Sequence, residues 1–283
     1  MRAWPGVLAV AVLAAGCASG EPGGADPPAA ESAESPSPTS EPRLHLDCAG
    51  EGGPAIVLIA GLGTSGDTFA DLRRRLEEGT TACFYDRAGI GSSPPLAEDD
   101  PDPSPGSAAA DLRETLAAAD VTPPYVVLGW SYGGLVAQAY TKNFPDEVAG
   151  LVLEDSSVRG QFGTGAPLHD ARFAWKEGGR DIDEEAVREQ LAGLDLGDLP
   201  VAVLSQDGGG MWMGPWYQAH DRLARATFDG IHAIGLGSGH AMHEDVPGFV
   251  ARAVQAVWSA AAAGTDLPPC RAVFATAGAR CRV

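Results

Sequence analysis

The feature that most constrains the fold of this chain is a regular alternation of strand-like and helix-like segments that begins at Leu44. Short, continuous apolar runs such as Ala55 to Ala60 are typical of strands buried on both faces of a sheet. Between these runs, apolar residues recur every three or four positions, as they do in amphipathic helices. The alternation predicts an α/β fold, with a mostly parallel sheet covered by helices on both faces. The predicted strands are Leu44 to Cys48, Ala55 to Ala60, Thr81 to Tyr85, Tyr125 to Gly129, Leu151 to Glu154, Val201 to Leu204 and Ile231 to Leu236, and the predicted helices are Asp67 to Glu77, Ser107 to Ala119, Tyr132 to Asn143, Gly214 to Thr227 and Pro247 to Ala263.

Composition divides the chain into a leader, a spacer and one domain. Residues 1–16 carry Arg2 and then a short apolar run, which is the architecture of an export signal and is too short to span a bilayer. Residues 17–43 are rich in Pro, Ser, Glu, Gly and Ala without an apolar period, so we expect a disordered linker. Residues 44–283 form the predicted domain. Within it, residues from about 158 to 199 break the alternation and predict a small helical cap over the carboxyl edge of the sheet.

A serine stands in a pattern typical of nucleophiles. Residues 129–133 read GWSYG, which is GxSxG with Ser131 at its centre. The apolar run YVVL precedes the pattern and the amphipathic segment LVAQAYTKNF follows it. A tight turn between strand and helix exposes a serine hydroxyl, and the helix N-terminus places a positive dipole end behind it. We therefore predict Ser131 to be the nucleophile of a serine hydrolase.

Serine is a weak nucleophile at its ordinary pKa, so an imidazole has to accept its proton. His240 follows a late predicted strand across the glycine-containing run 235–239 and precedes the last predicted helix, and it is the predicted base. His243, three residues further on, is the alternative. The remaining histidines fit less well, because they lie on predicted strands, in the cap or within a helix: His45, His169, His220 and His232.

The carboxylate that orients the base has two candidates. Asp155 ends the predicted strand LVLE, directly after the unit that carries the serine, and Asp207 follows the next predicted strand, VAVLS. We favour Asp155, because the segment SQDGGG places Asp207 earlier than a common post-strand turn would. Glu154 points to the other side of its strand and is a poor third choice.

Four sequence blocks together resemble the α/β-hydrolase fold family over about residues 44–263. They are GLG at 61–63, DRAGIGSS at 86–93, GWSYGG at 129–134 and GSGH at 237–240. The resemblance implies an oxyanion hole built from the backbone N–H groups of Leu62 and Tyr132. It also implies that Asp86 and Arg87 brace the loops and take no chemical part. Among family members, the chain looks most like exported bacterial hydrolases.

The cysteines predict an oxidising compartment. The run ending in Cys17 resembles a bacterial lipobox, which implies a lipid on Cys17 and cleavage just before it, although Ala14 stands where Leu is usual. A soluble secreted protein is the alternative. The four other cysteines allow three disulfide pairings, and no CxxC or close Cys/His spacing predicts a metal site. We favour Cys48–Cys83, because both lie on predicted strands and match cysteine positions of the exported subgroup, and Cys270–Cys281, which would pin the tail.

An apolar cluster follows Gly208 to Gly210 and predicts a wall of the substrate pocket. A role in packing the helix against the sheet explains the cluster equally well. Trp130, beside the nucleophile, is expected to shape the pocket wall, and Phe162, Phe173 and Trp175 of the cap are candidates for its roof. The cluster consists of Met211, Trp212, Met213, Trp216 and Tyr217.

These patterns predict hydrolysis of small or medium carboxylic esters through an acyl-enzyme. Amidase or aminopeptidase activity on the same residues is the alternative, and a binding protein without catalysis is a third possibility. Dehalogenase and epoxide hydrolase functions are disfavoured, because their nucleophile is Asp and here it is Ser131. The formal net charge of −19 excludes nucleic acid as an expected partner. We expect a small-molecule substrate and a membrane anchor through Cys17, with no metal or organic cofactor; the oligomeric state is not predicted.

Overall fold

The computed structural model describes residues 44–163, 168, 173–209 and 213–283. The predicted signal segment 1–16 and the spacer 17–43 with Cys17 lie outside these residues, as do Met211 and Trp212 of the predicted pocket. Within the described ranges, no helix combines the length and the apolar character needed to cross a membrane.

Strands and helices alternate along the domain as the sequence predicts. Single turns of 3₁₀ helix at Gly66–Phe69, Pro145–Glu147 and Arg159–Gln161 add to these elements. The strands are β1 Leu46–Ala49, β2 Ala55–Ile59, β3 Ala82–Tyr85, β4 Tyr125–Trp130, β5 Val148–Glu154, β6 Lys176–Glu177, β7 Arg180–Asp181, β8 Val201–Gln206, β9 Gly230–Gly235 and β10 Ala279–Cys281. The helices are α1 Ala70–Leu76, α2 Pro105–Ala118, α3 Tyr132–Asn143, α4 Glu184–Gln190, α5 Met213–Ala224, α6 Met242–Asp245, α7 Pro247–Ala263 and α8 Cys270–Val273.

Eight of the described strands form one sheet in the order β1-β3-β2-β4-β5-β8-β9-β10. Neighbours from β3 to β9 pair in parallel, whereas the edge strands β1 and β10 are antiparallel to β3 and β9. The predicted α/β-hydrolase architecture is confirmed. Because the central strands are parallel, their carboxyl ends meet at one edge of the sheet, where loops can assemble a site.

The hydrophobic core lies on both faces of the sheet. Alternate side chains of β2 point to opposite faces. Val57 and Ile59 belong to the cluster that includes α2 and α3, and Ile56 and Leu58 belong to the cluster that includes α1 and α7. All four residues are at most 2% exposed, so the continuous apolar run is explained by burial from two sides.

The cap differs in part from the sequence prediction. Its described residues contain the short antiparallel hairpin β6–β7 as well as the helix α4, so it is not purely helical. Gly178 and Gly179 join the two strands with φ of 57° and 84°. Glycine adopts positive φ without steric penalty, and the turn therefore closes there. Strands this short and this charged leave no alternating pattern in the sequence.

Two disulfides tie the edges of the sheet. Cys48 and Cys83 lie opposite each other in the β1–β3 ladder and are bonded. Cys270 of α8 is bonded to Cys281 of β10. These are the favoured pairings, and the second joins α8 to β10, an edge strand that the sequence did not predict and that pairs with β9.

Candidate active site

Ser131 occupies a sharp turn between β4 and α3. Its backbone has φ 54° and ψ −120°, a conformation that residues other than glycine rarely adopt and that costs about 1–3 kcal/mol. The turn is held on both sides, because Ser131 N–H donates to the Glu154 carbonyl at 3.1 Å and Ser157 N–H donates to the Ser131 carbonyl at 2.9 Å. A Cβ atom on Gly129 would lie 2.5 Å from the Gly133 carbonyl oxygen, which explains why glycine begins this motif.

His240 contacts both the serine and an aspartate. Its Nδ1 lies 2.6 Å from Oδ2 of Asp155, and its Nε2 lies 2.9 Å from Oγ of Ser131. A carboxylate only accepts hydrogen bonds, so Nδ1 carries the proton and Nε2 is free to accept one from the serine hydroxyl. The side chain of His240 is 48% exposed, whereas that of Asp155 is fully buried.

Asp155 is held by donors from β8 and α5. Oδ1 accepts from the backbone N–H of Gln206 at 3.2 Å and from Nε1 of Trp216 at 2.8 Å, and Oδ2 accepts from Nε2 of Gln206 at 2.9 Å. Burial alone would raise the pKa of Asp155. The hydrogen bonds from His240 and Trp216, together with the electrostatic interaction with His220 and His240, outweigh burial and hold that pKa below its usual value. The carboxylate is therefore ionised and fixed in orientation.

The alternative residues are not part of this arrangement. Asp207 accepts from the backbone N–H of Gly237 at 3.1 Å and lies 3.6 Å from the guanidinium of Arg280. His243 is buried, and its Nδ1 lies 2.8 Å from Oε1 of Glu154. Among the candidates for base and acid, the structure thus joins His240 and Asp155 to Ser131.

The backbone N–H groups of Leu62 and Tyr132 are available beside the serine. Tyr132 begins α3, and the first N–H groups of a helix have no partner within it. Leu62 follows β2 in the loop 60–64 and shares a cavity wall with Ser131. Within the described part of the chain, neither N–H donates to a backbone or side-chain acceptor. An oxyanion hole built from these two N–H groups stays a prediction of the family resemblance.

A buried ion pair from the cap holds this loop. Arg87 donates to the carbonyls of Ala60 at 2.7 Å and Gly61 at 2.6 Å, and its Nε donates to Oε1 of Glu177 at 2.8 Å. Oε2 of Glu177 accepts from the backbone N–H of Gly63 at 2.9 Å. Glu177 leaves no signal in the sequence, because it lies in a charged segment of the cap and its partners Arg87 and Gly63 are 90 and 114 residues away in the chain.

Glu177→Gln is expected to lower kcat for ester hydrolysis by about tenfold to 100-fold with a small change in KM. The amide has a single acceptor oxygen, so its NH₂ group must face a donor at either Arg87 or Gly63, and the ionic attraction to Arg87 is lost. The loop that carries Leu62 therefore loses part of its support, and removal of a whole oxyanion donor sets the upper bound of about 10²–10³. Steady-state kinetics on a soluble ester measures the effect.

Asp181→Asn is the matched control for that variant. Asp181 lies in the same hairpin, its side chain is 78% exposed, and its partner is Lys176, so its kcat should stay at the wild-type value. Thermal unfolding of both variants shows whether a lower kcat comes from reduced stability of the fold or from misplacement of the loop that carries Leu62. An unchanged kcat in Glu177→Gln would show that the ion pair does not position the loop.

A cavity of about 200 Å³ opens above the serine, which is smaller than the roughly 300–1,000 Å³ of sites for drug-sized ligands and suits a small substrate. Phe173 and Trp175, which the sequence suggests for the roof of the pocket, line this cavity. Trp216 of α5 lines it as well. The described lining residues are Leu62, Ser131, Ser157, Gln161, Leu168, Phe173, Trp175, Trp216 and His240.

Three described residues predicted for the pocket wall, Trp130, Met213 and Tyr217, do not line this cavity. Trp130 packs its ring against His240 and His243, with centroids 5.4 and 4.7 Å apart, and its Nε1 donates to the His240 carbonyl at 2.8 Å. Met213 is 3% exposed and packs with Val158 and Ile234. Phe162, a candidate for the roof, is buried against Trp175. Apolar character in the sequence did not separate these core positions from the pocket wall.

Known proteins resemble this chain in sequence and in structure. A family model described as alpha/beta hydrolase fold matches residues 54–186. The uncharacterized protein YqjL of Bacillus subtilis is 28% identical over 222 residues, which cover 75% of this chain and 86% of that protein. The pimeloyl acyl-carrier-protein methyl ester esterase of Chromobacterium violaceum is 36% identical over 116 residues, 41% of this chain and 42% of that enzyme.

Several of the curated relatives are thus matched over less than two thirds of their own length. A solved esterase structure from Thermogutta terrifontis superposes with a TM-score of 0.55 at 17% identity, over 75% of this chain and 91% of that one. These similarities agree with the sheet order and with the turn from strand to serine to helix. The chain therefore has the α/β-hydrolase fold.

Proposed function

We propose that this protein hydrolyses carboxylic esters through an acyl-enzyme on Ser131. The observation that carries the proposal is the continuous chain of contacts from Asp155 through His240 to Ser131, which ends at a cavity beside two available N–H groups. Nucleophile, base, orienting carboxylate and oxyanion donors are the groups that acyl transfer to water requires.

In the acylation step, Oγ of Ser131 attacks the ester carbonyl carbon while its proton passes to Nε2 of His240. The carbonyl oxygen becomes negatively charged and accepts hydrogen bonds from the N–H groups of Leu62 and Tyr132. The imidazolium of His240 is stabilised by ionised Asp155 and then gives its proton to the leaving alcohol. The C–O bond of the ester breaks and an ester to Ser131 remains.

Deacylation repeats these steps with water. His240 accepts a proton from the water molecule, whose oxygen attacks the acyl carbon, and the same two N–H groups stabilise the second oxyanion. The proton returns from His240 to Oγ of Ser131. A carboxylic acid leaves, and the enzyme regains its starting protonation state.

The cavity favours uncharged acyl groups. Leu62, Phe173 and Trp175 give it apolar walls, and Ser157 and Gln161 are polar but neutral. Apart from His240, its described lining residues include none that carries charge. An aminopeptidase has to hold the ammonium group of its substrate, and without a carboxylate partner that buried charge is unfavourable. Neutral esters are therefore the preferred substrate class.

A chromogenic panel tests this preference. We expect kcat/KM for p-nitrophenyl esters of neutral acyl chains to exceed that for aminoacyl p-nitroanilides by at least about 100-fold, which corresponds to about 2.7 kcal/mol. Varying the acyl chain length then measures how much of the cavity the acyl group fills. Faster cleavage of aminoacyl amides would favour the aminopeptidase alternative and contradict the proposed ester specificity.

We also propose that the hydrolase is exported and anchored to a membrane by a lipid on Cys17. The leader and lipobox-like sequence support this localisation, as do two disulfides, which persist in oxidising compartments. Each buried CH₂ of an acyl chain adds about 0.8 kcal/mol of membrane binding. Cys17→Ser expressed in a bacterial host should move from the membrane fraction to the soluble fraction, whereas Ser19→Ala should remain with the membrane. Membrane retention of Cys17→Ser would exclude the lipid anchor.

A further inference from the structure

A second chain of buried polar groups lies behind the catalytic residues. Oγ of Ser205 on β8 contacts two imidazoles, Nδ1 of His220 at 2.5 Å and Nε2 of His232 at 2.8 Å. The far nitrogen of His220 lies 2.9 Å from the carbonyl oxygen of Ser156, and that of His232 lies 2.7 Å from Oδ1 of Asp221. His220, Ser205 and His232, which we call the imidazole chain, are each 0% exposed.

The two ends of the imidazole chain fix two of its protons. A carbonyl oxygen only accepts hydrogen bonds, so Nε2 of His220 carries a proton toward Ser156. Asp221 is ionised, because the guanidinium of Arg282 donates to both of its carboxylate oxygens at 3.0 and 2.7 Å. Although burial opposes ionisation, this pairing lowers the pKa of Asp221 to about 2. Nδ1 of His232 therefore donates to Asp221.

In the middle of the imidazole chain, two neutral rings would leave one hydrogen bond without a proton. Nδ1 of His220 and Nε2 of His232 both face Oγ of Ser205, and the hydroxyl has a single proton to donate. If both rings were neutral, one nitrogen lone pair would face an oxygen lone pair in the protein interior. One additional proton completes all the hydrogen bonds, because the charged ring donates to Ser205 while Ser205 donates to the neutral ring.

Charge balance favours the additional proton. Asp155 is a fully buried carboxylate close to His220, and the ring of Trp216 joins them: its Nε1 donates to Asp155 at 2.8 Å and its centroid is 4.7 Å from that of His220. Arg282 already neutralises Asp221, so a proton on the imidazole chain supplies the missing cation for Asp155 while His240 is neutral.

Some groups around the imidazole chain lower the pKa of its two rings and others raise it. Burial is the largest influence; it lowers the pKa of His220, as does the charge of His240, and together with the charges of His220 and Arg282 it lowers the pKa of His232 to about 4. The carboxylates of Asp155 and Asp221 and the Ser156 carbonyl favour the charged ring. Tyr217, whose ring lies 6.5 Å from that of His232, is the remaining titratable neighbour on α5. Taken together these influences lower the pKa of each ring considered by itself. The hydrogen-bond count of the whole imidazole chain is the reason to assign it one additional proton nonetheless.

We infer that the imidazole chain retains one shared proton at neutral pH and that His220 is a positioning residue for Asp155 in the reaction proposed above. The proton passes between the rings through Ser205, which takes it from one nitrogen and gives its own to the other. Only N–H and O–H bonds form and break, and no other reactant is needed. The positive charge therefore stays between Asp155 and Asp221, and it favours the ionised form of Asp155.

Nitrogen NMR of the full-length chain labelled with ¹⁵N-histidine tests the shared proton directly, whether or not the enzyme cleaves esters. At pH 7 we expect the two rings together to hold three protons on their four nitrogens. Ser205→Ala should reduce that number to two, and Ser205→Thr, which keeps a hydroxyl, should preserve three. Two neutral rings in the wild-type chain would overturn the inference.

The pH dependence of kcat/KM tests the positioning role. In His220→Gln and Ser205→Ala a cation near Asp155 and His240 is lost, so this pair binds a proton more readily. The acidic limb of the kcat/KM profile should therefore move to higher pH by about half a unit or more. His45→Gln, at a histidine on the opposite edge of the sheet, should leave the limb in place. A lower kcat with an unmoved limb would mean that His220 is only structural and would overturn its positioning role.

Discussion

Ser131→Ala is expected to lower kcat/KM for a p-nitrophenyl ester by about 10⁴-fold or more and to abolish labelling by a fluorophosphonate probe. Without Oγ no acyl-enzyme can form, and water has to attack the ester directly. The two N–H groups of Leu62 and Tyr132 still stabilise the oxyanion, so a small residual rate above the uncatalysed reaction should remain. Steady-state kinetics and gel-based labelling measure the two effects independently.

Ser92→Ala is the matched control for this variant. Ser92 is an exposed serine on the loop after β3, and only its backbone N–H takes part in holding Asp86. Its removal should leave both the rate and the labelling unchanged. If Ser131→Ala is labelled as strongly as the wild type, another residue is the nucleophile and the proposed mechanism is wrong.

Asp155→Asn is expected to lower kcat by about 10⁴-fold while the fold is kept. An asparagine oxygen accepts the proton of Nδ1 less strongly than a carboxylate does, and its NH₂ group can instead donate to Nδ1. His240 then carries its proton on Nε2 and cannot accept the proton of Ser131. The imidazolium that forms during the reaction also loses its negative partner. Steady-state kinetics near neutral pH measures the loss of kcat, and circular dichroism checks the fold.

Asp207→Asn provides the comparison that assigns the acid. Asp207 binds Gly237 N–H and lies near Arg280, and it does not reach His240, so we expect kcat within about twofold of the wild type. A larger loss in Asp207→Asn than in Asp155→Asn would reassign the carboxylate.

The serine and its base were predictable because their signals are local. The turn at Ser131 needs a buried strand before it, glycines around it and a helix after it, and all of these lie within about one strand and one helix of sequence. His240 follows β9 through a glycine-containing loop. Both side chains are presented by chain segments whose conformation is set mainly by their own neighbours in sequence.

The sequence left the choice of the orienting carboxylate open, because two strands are each followed directly by an aspartate. Pairing of β4 with β5 sets Trp130 opposite Glu154, so Asp155 emerges beside Ser131. After β8, in contrast, the backbone N–H of Asp207 bonds to the Ser238 carbonyl, and its carboxylate binds Gly237. The conformation of a loop after a strand depends on which strand lies beside it, and that is a property of the assembled sheet.

The residues that hold the site in place had no sequence signal. Gln206 and Trp216 anchor Asp155 from 51 and 61 positions away, and Glu177 reaches Gly63 from 114 positions away. His220 and His232 read as ordinary members of a helix and a strand, and only the sheet brings both to Ser205. A polar residue acquires such a partner when folding excludes water and leaves one donor or acceptor within reach.

The sequence by itself determined the α/β-hydrolase fold, the turn that exposes Ser131 and the placement of His240 beyond the last parallel strand. These properties follow from periodicity, glycine placement and chain order, which act over short distances along the chain. Only the tertiary structure decided that Asp155 meets His240, that Glu177 braces the loop of Leu62 and that two histidines share Ser205. Those contacts depend on the register and packing of distant segments, and burial makes their hydrogen bonds obligatory.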